Sequence, residues 1–255
     1  MTTLPSPGTP HPTATRRVQR VRHELRRREL QVRQVQPLGP GFVRIVFGGD
    51  ELEGFTSLSF DDHVKLLFDA APGADPVRRD YTPRHFDPVR RELSIEFALH
   101  EQGAATDWAR QAAPGQRLAI GGPRGSMIIP TDYAWHLLAG DSTALPAINR
   151  RLEELPAGAQ ALVLVQVASP ADQRPWHSAA QVQTQWVHST EAWLAALRAL
   201  PLPAGEGFAW CAGEAQVMAQ ARALLVHEKG VPRECQRVSA YWKLGAQAFH
   251  EDIEG

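Results

Sequence analysis

Arg79-Asp80-Tyr81-Thr82-Pro83-Arg84 packs two cations, a phenol and a hydroxyl around a stiff proline. On an extended segment successive side chains alternate, so Arg79 and Tyr81 point the same way. A guanidinium can hold a phosphate through two parallel hydrogen bonds. A tyrosine ring can lie along a planar heterocycle while its hydroxyl stays hydrogen-bonded. That pairing suits a flavin nucleotide, although an Arg-rich hairpin carrying one tyrosine would need no ligand.

Three other stretches carry residue types able to do chemistry. In Gly121-Gly122-Pro123-Arg124-Gly125-Ser126 the glycines let backbone amides approach an anion, and Ser126 adds a donor; a plain turn is the competing account. Ala139-Gly140-Asp141-Ser142-Thr143-Ala144-Leu145-Pro146 sits at a strand-to-helix junction, where free helical N–H groups favour a phosphate or polar ligand. It lacks the G-x-G-x-x-G pattern, and an N-cap by Asp141 or Ser142 explains most of it. Trp210-Cys211-Ala212-Gly213-Glu214 puts a thiol at a strand end, for which burial as a small hydrophobe is the simpler reading.

These stretches need elements to position them. Leu30 to Phe47 alternates apolar and polar residues around Pro37-Leu38-Gly39-Pro40-Gly41, the pattern of a β-hairpin. Val64, Leu66 and Phe68 share a face, as do Leu93, Ile95, Phe97 and Leu99, leaving Ser94, Glu96 and His100 opposite. Gly103 to Ala113 has helical spacing, and Arg117 to Ile120 reads as one more strand before closure near Pro130. Short alternating strands punctuated by Gly and Pro predict an antiparallel β-barrel. After Pro130 strand and helix alternate: Trp135 to Ala139, a helix through Leu145, Ile148, Leu152 and Leu155, then the apolar run Ala161 to Val167. Trp186-Val187, a helix over Glu191 to Leu200, Gly207 to Cys211, a helix through Met218, Ala221 and Leu225, and Arg237 to Trp242 complete the series. That order predicts a parallel α/β sheet, with ligands beyond the carboxyl ends of its strands. The expected fold is therefore two-domain α/β: a disordered segment 1–20, an N-terminal antiparallel β-barrel over 21–130, and a parallel nucleotide-binding-type α/β domain over 131–255.

Composition narrows the function. With 27 Lys+Arg against 28 Asp+Glu in 255 residues, nothing global points to nucleic acid. The basic stretch Arg16 to Arg33, including Arg26-Arg27-Arg28, is expected to be a solvated N-terminal segment. Cys211 and Cys235 are too few for a disulfide framework or an iron–sulfur cluster, and a reducing cytoplasm suits them. Met1 to Thr15 is rich in Pro, Thr and Ser, so neither a signal peptide nor a membrane anchor is expected there.

Taken in order, Arg79 to Arg84, Phe97-Ala98-Leu99-His100 with Gly103 and Trp108, Gly122 to Ser126, Ala139 to Pro146, and Tyr241-Trp242-Lys243-Leu244-Gly245 resemble the siderophore-interacting proteins. These are flavin-dependent ferric-siderophore reductases of the ferredoxin-reductase-like superfamily, and the likeness runs from about Val21 to Gly245. The resemblance implies FAD as cofactor, with Arg79 on a phosphate, Tyr81 and Thr82 at the isoalloxazine, and His100, Gly103, Gly125 and Ser126 lining it. Asp141 and Thr143 match the loop that opens the second domain. Lys65, Arg124 and Lys243 match the cations that receive an anionic iron chelate.

Two departures stand out. Ala240 and Trp242-Lys243-Leu244 replace a closing motif that usually begins with Gly and continues Trp-Arg-Arg, and lysine lacks the planar fork of arginine. Thr143 stands where wider-superfamily reductases usually have glycine. After Val167, Asp172 could take a ribose hydroxyl and Arg174 a 2′-phosphate, so NADH and NADPH both stay open.

The implied activity passes electrons from NAD(P)H through flavin to the Fe(III)-siderophore, releasing Fe(II). Oxygen-ligand chelates hold hard Fe(III) in preference to Fe(II). No catalytic side chain and no protein-bound metal are required. The alternatives are a flavin reductase acting on quinones or a protein carrier, a non-catalytic flavin or siderophore binder, and a reduced ferredoxin as donor.

Overall fold

The computed structural model describes residues 17–69, 73, 75–99, 103–245 and 251–252. After β1 (Gln19–Arg22), the chain forms β2 (Arg27–Pro37), β3 (Phe42–Gly48), β4 (Val64–Phe68), β5 (Val77–Tyr81), β6 (His85–Asp87) and β7 (Glu92–Ala98). Helix α1 (Ala104–Gln111) and β8 (Arg117–Gly121) follow. Strands β2 to β8 make one antiparallel sheet in the order β5-β4-β8-β2-β3-β7-β6. The alternation seen in the sequence decides which face is inside: Leu30, Ile45, Phe47, Val64, Leu66, Leu93, Ile95 and Phe97 are buried together. Each such side chain removed from water contributes about 1.5–3 kcal/mol. Helix α1 lays Trp108 on this core, with ring centroids 6.0 Å from Phe47 and Phe97 and 5.8 Å from Phe68.

The sheet curls until its edges meet. Tyr81 at the β5 edge lies 4.5 Å, centroid to centroid, from Phe97 of β7. Thr82-Pro83-Arg84 steps directly from one outer strand to the other, and Arg84 N–H bonds Ser94 O at 2.9 Å. Proline suits the middle of that link because it has no N–H to satisfy. The motif that opened the sequence reading is thus the seam of the half-barrel.

At Gly121 the chain leaves this sheet. Strand β9 (Gly125–Ile128) pairs antiparallel with β1 in a separate ribbon. The basic N-terminal stretch is therefore not simply solvated. Arg28 is buried, its Nε donating to Glu51 O at 2.9 Å and its Nη1 to Gly122 O at 3.1 Å. Upstream, within the stretch 1–20, Arg17 sits over the Tyr133 ring at 4.4 Å and pairs with Asp132 and Glu206. Residues 1–16 lie outside the described residues.

The second half runs β10 (Trp135–Gly140), α2 (Leu145–Glu154), β11 (Gln160–Gln166), β12 (Gln181–Val187) and α3 (Thr190–Ala199). It continues through β13 (Gly207–Glu214), α4 (Ala215–Ala223), β14 (Gln236–Trp242) and β15 (Glu251–Asp252). The sheet order is β12-β11-β10-β13-β14-β15, parallel except for β15. Strand order reverses between β10 and β13, which puts the ligand crevice at their carboxyl ends. Helix α2 covers one face through Leu145, Ile148 and Leu152; α3 and α4 cover the other through Trp193, Leu197, Met218 and Ala221. Phe42 and Phe60 of the first half enter the α2-side core, so the two sheets share buried surface. No helix among the described residues is long and apolar enough to cross a membrane.

Candidate functional site

Register explains the seam chemistry. Strand β5 lies against β4 with Tyr81 opposite Val64, Asp80 opposite Lys65 and Arg79 opposite Leu66. Arg79 and Tyr81 therefore share the face that Val64 and Leu66 bury, while Asp80 and Lys65 share the other. On that other face Lys65 Nζ bonds both Asp80 oxygens, at 2.8 and 3.0 Å. Lys65, named as one of the cations matching those that receive an iron chelate, already has a carboxylate. Arg79 donates to the Arg78 carbonyl at 2.8 Å and has no carboxylate partner among the described residues. Thr82 is buried. The Pro83 carbonyl accepts from Arg150 Nη1 of α2 at 2.8 Å.

The glycine-rich loop follows β8, whose Gly121 is opposite Lys65. Gly125 is small because β1 crosses it: a Cβ there would lie 2.5 Å from Val21 O. Ser126 is buried, its Oγ donating to Asp62 Oδ2 at 2.6 Å, accepting from Leu58 N–H at 3.1 Å, and 2.8 Å from His23 Nε2. The donor that the sequence aims at an anion is thus held inside the protein. Arg124 is exposed, and its side chain makes no ion pair with the described residues. Gly103 precedes α1, whose first turn has no side-chain cap. A Cβ on Gly103 would meet open space. His100 lies outside the described residues.

At the carboxyl end of β10, Asp141 joins three strand ends. One oxygen accepts from the N–H and hydroxyl of Thr143; the other accepts from Glu214 N–H at 3.1 Å and Trp242 Nε1 at 2.8 Å. Burial raises the Asp141 carboxyl above the usual range, against these bonds. The capping account of this loop is therefore realised in the structure. Gly140 is obligatory there, since a Cβ would lie 2.1 Å from Ala212 O. Glu214 caps α4 and accepts weakly from Leu244 N–H at 3.4 Å, next to exposed Lys243.

Asp172 and Arg174 need correcting. Asp172 is buried, and Arg174 bonds Glu96 at 2.7 Å with its guanidinium 4.2 Å from the Phe42 ring centroid. Neither side chain is presented to a dinucleotide, because the segment after β11 packs on the half-barrel. Cys211 is fully buried, and burial pushes its thiol up to about 12, so the buried reading of that residue holds.

Residues that the sequence reading passed over bind the halves together. Asp61 accepts from Trp210 Nε1 at 2.7 Å and Arg237 Nε at 2.6 Å. Glu96 receives Arg44 at 2.6 Å, Arg174 at 2.7 Å and Arg84 Nε at 3.5 Å, and Arg84 also pairs with Glu153 of α2. For Asp61 the available signal was the tandem Asp61-Asp62, one residue short of an apolar strand.

Comparison with known proteins gives this geometry a lineage. The profile described as "Siderophore-interacting FAD-binding domain" matches residues 31–77 and 69–127, and "Siderophore-interacting protein" matches 133–245. The chain belongs to the siderophore-interacting protein family. A relative in Escherichia coli K12, an NADPH-dependent ferric-chelate reductase, is 40% identical, the match covering 88% of this chain and 96% of that one. The ferric vibriobactin reductase of Vibrio cholerae is 30% identical over 82% of this chain and 88% of its own. A siderophore utilization protein from T. fusca superposes with a TM-score of 0.86 at 32% identity, covering 91% and 98% of the two chains.

The residues present fit the flavin that this family's first domain is named for. Arg79, with no carboxylate partner among the described residues, and the uncapped N–H groups at the start of α1 are donors suited to a diphosphate, and Gly103 leaves open space at that helix start. Tyr81, backed by Phe97, offers a supported ring on the same face of β5 as Arg79. In this siderophore-interacting protein the structure gathers Lys65, Arg79 to Thr82 and the loop 121–126 around the half-barrel. Asp141, Thr143 and Lys243 lie at the strand ends of the second sheet, joined to the first group through α2.

Proposed function

We propose that this protein is an FAD-dependent ferric-siderophore reductase that draws electrons from NADPH. The observation that carries the reading is the seam, where an arginine with no carboxylate partner among the described residues and a supported tyrosine meet in a chain matching both halves of the family. Bound FAD would accept a hydride from NADPH and yield electrons singly, which matches a two-electron donor to Fe(III). The chain's own residues bind and orient. Arg79 and the α1 start at Gly103 hold phosphate, Tyr81 and Thr82 hold the ring system with His100, and Gly125 brings the loop backbone close. Asp141 and Thr143 hold the mouth of the nicotinamide crevice in shape.

Arg124, exposed and making no ion pair with the described residues, receives the anionic chelate, with Lys65 and Lys243 adding positive potential nearby. We place the protein in the cytoplasm, where buried Cys211 and Cys235 stay reduced.

Two substitutions separate cofactor from substrate. Arg79→Ala is expected to weaken FAD binding about 10- to 100-fold, the worth of a hydrogen-bonded charge pair of about 1.5–3 kcal/mol. Retained flavin after dialysis checks this. Arg124→Ala is expected to raise KM for an anionic ferric chelate about tenfold with flavin content unchanged. Lys65→Ala should do less, because its charge is already opposed by Asp80.

The deciding experiment is the visible spectrum under anaerobic NADPH and then a ferric siderophore. Flavin bands that bleach and recover as chelate is consumed support the reading. Bands bleached only by reduced ferredoxin would replace the donor. Bleaching without saturable recovery by chelates would point to a quinone or protein acceptor, and a flavin inert to every donor to a binding protein. Absence of flavin after reconstitution would overturn the assignment.

A further inference from the structure

Asp62 is 3% exposed, and its two oxygens are treated differently. Oδ2 accepts from Ser57 Oγ at 2.8 Å, Ser59 N–H at 3.2 Å and Ser126 Oγ at 2.6 Å. Oδ1 is buried with no hydrogen-bond partner among the described residues. A buried carboxylate with one bare oxygen is poorly compensated, so its neutral form is accessible, and burial accordingly raises its pKa.

Ser126 carries a single hydroxyl hydrogen but lies between two groups, Asp62 Oδ2 at 2.6 Å and His23 Nε2 at 2.8 Å, while also accepting from Leu58 N–H. It can donate to only one of the two. With Asp62 ionised, His23 Nε2–H donates to Ser126 and Ser126 donates to Asp62. With Asp62 protonated, Oδ2–H donates to Ser126 and Ser126 donates to His23. The two arrangements use the same three atoms and differ by one proton moved from Asp62 to His23. Solvent is within reach of His23, which is only half-buried.

This chain adjoins the candidate cofactor residues. Ser126 ends the glycine-rich loop. Ser57 is held by Arg150 Nη1 at 2.8 Å, the same nitrogen that holds the Pro83 carbonyl of the seam.

We propose that Asp62, Ser126 and His23 form a relay that carries a proton from the flavin site to solvent. The inference rests on the reductase reading. There one NADPH surrenders a hydride, two Fe(III) centres take one electron each, and NADP⁺, two Fe(II) and one proton result. That proton must leave an interior site on every turnover. Asp62 takes it up, Ser126 receives it from Oδ2 while passing its own to His23 Nε2, and His23 releases one to solvent. The charged groups around Asp62 are Arg150 and Glu154 on α2, His23 beyond β1, and the chain neighbours Asp61 and His63. Arg150 favours the ionised carboxylate, whereas Glu154 opposes it.

The test uses flavin-loaded protein mixed with NADPH and ferric chelate while a pH indicator follows proton release and absorbance follows flavin. In His23→Gln and Ser126→Ala, proton release is expected to slow about 100-fold at pH 7, with bleaching by NADPH still rapid in His23→Gln. Infrared spectra of the flavin-free chain give a second readout. The carboxyl band lost in Asp62→Asn should appear at a different pH in Ser126→Ala. Proton release at the wild-type rate in both His23→Gln and Ser126→Ala, with normal bleaching, would overturn the relay alone. A protein that takes up no flavin, or is never bleached by NADPH, would overturn the reductase reading and the relay with it.

Discussion

Glu96→Ala is expected to cost about 3–5 kcal/mol of stability, because it leaves buried guanidinium charge with its counter-charge removed. Glu96 is 2% exposed and sits among Arg44, Arg84 and Arg174. Two of these arginines come from the half-barrel and one from the segment after β11. Burial works to raise the Glu96 carboxyl, but Arg174 and Arg44 outweigh it and hold the pKa below the ordinary range. A depressed carboxylate contributes stability at neutral pH and loses it as pH falls through the lowered value. Glu96→Gln should be nearly as damaging, since the amide turns N–H donors toward donors. Arg44→Ala should cost less, its side chain being 31% exposed. Urea denaturation read by circular dichroism decides the matter; a loss under about 1 kcal/mol for Glu96→Ala would leave the cluster no more than a surface network.

Stability should also fall between pH 6.5 and 4 through His136. Burial first, and the Arg151 charge second, push this imidazole from 6.5 down to about 4. Within that window the unfolded chain binds a proton that the folded chain refuses, so acidification favours unfolding. The interval corresponds to about 3 kcal/mol, complete below pH 4. Asp62, Asp141 and Glu154 have raised carboxyls and act in the opposite sense, losing a penalty as they protonate. The difference between wild type and His136→Gln isolates the histidine. The slope of unfolding free energy against pH should flatten in the variant whatever its absolute stability, and parallel slopes would refute the assignment.

Local chemistry made much of this protein legible. Alternation at Val64-Leu66-Phe68 and Leu93-Ile95-Phe97 located the half-barrel core, and the unbroken run 161–167 located a strand covered on both faces. The Arg79 to Arg84 segment was recognisable because its ligand chemistry is written in consecutive residues. What escaped was set by packing between the halves. Glu96 falls on the face that alternation assigns to solvent, yet α2 and the segment after β11 close over it. Arg174 was read as a dinucleotide ligand because its charge is visible in the sequence and its partner, 78 residues away, is not. Ser126 was read as a donor facing the cofactor because a glycine-rich loop says nothing about β1 lying across it. Lys65 was named without Asp80, although antiparallel pairing of their strands makes them opposite neighbours.

Trp210 has a consequence of another kind. It is fully buried where the two halves meet, its ring 5.4 Å from Phe60 and its indole N–H fixed on Asp61. An indole in such dry surroundings emits at shorter wavelength than one in water, and a neighbouring flavin would drain its excited state. The protein therefore carries an intrinsic lamp at its own interface. Loading with cofactor should dim it, and prising the halves apart should brighten it and shift it toward the red.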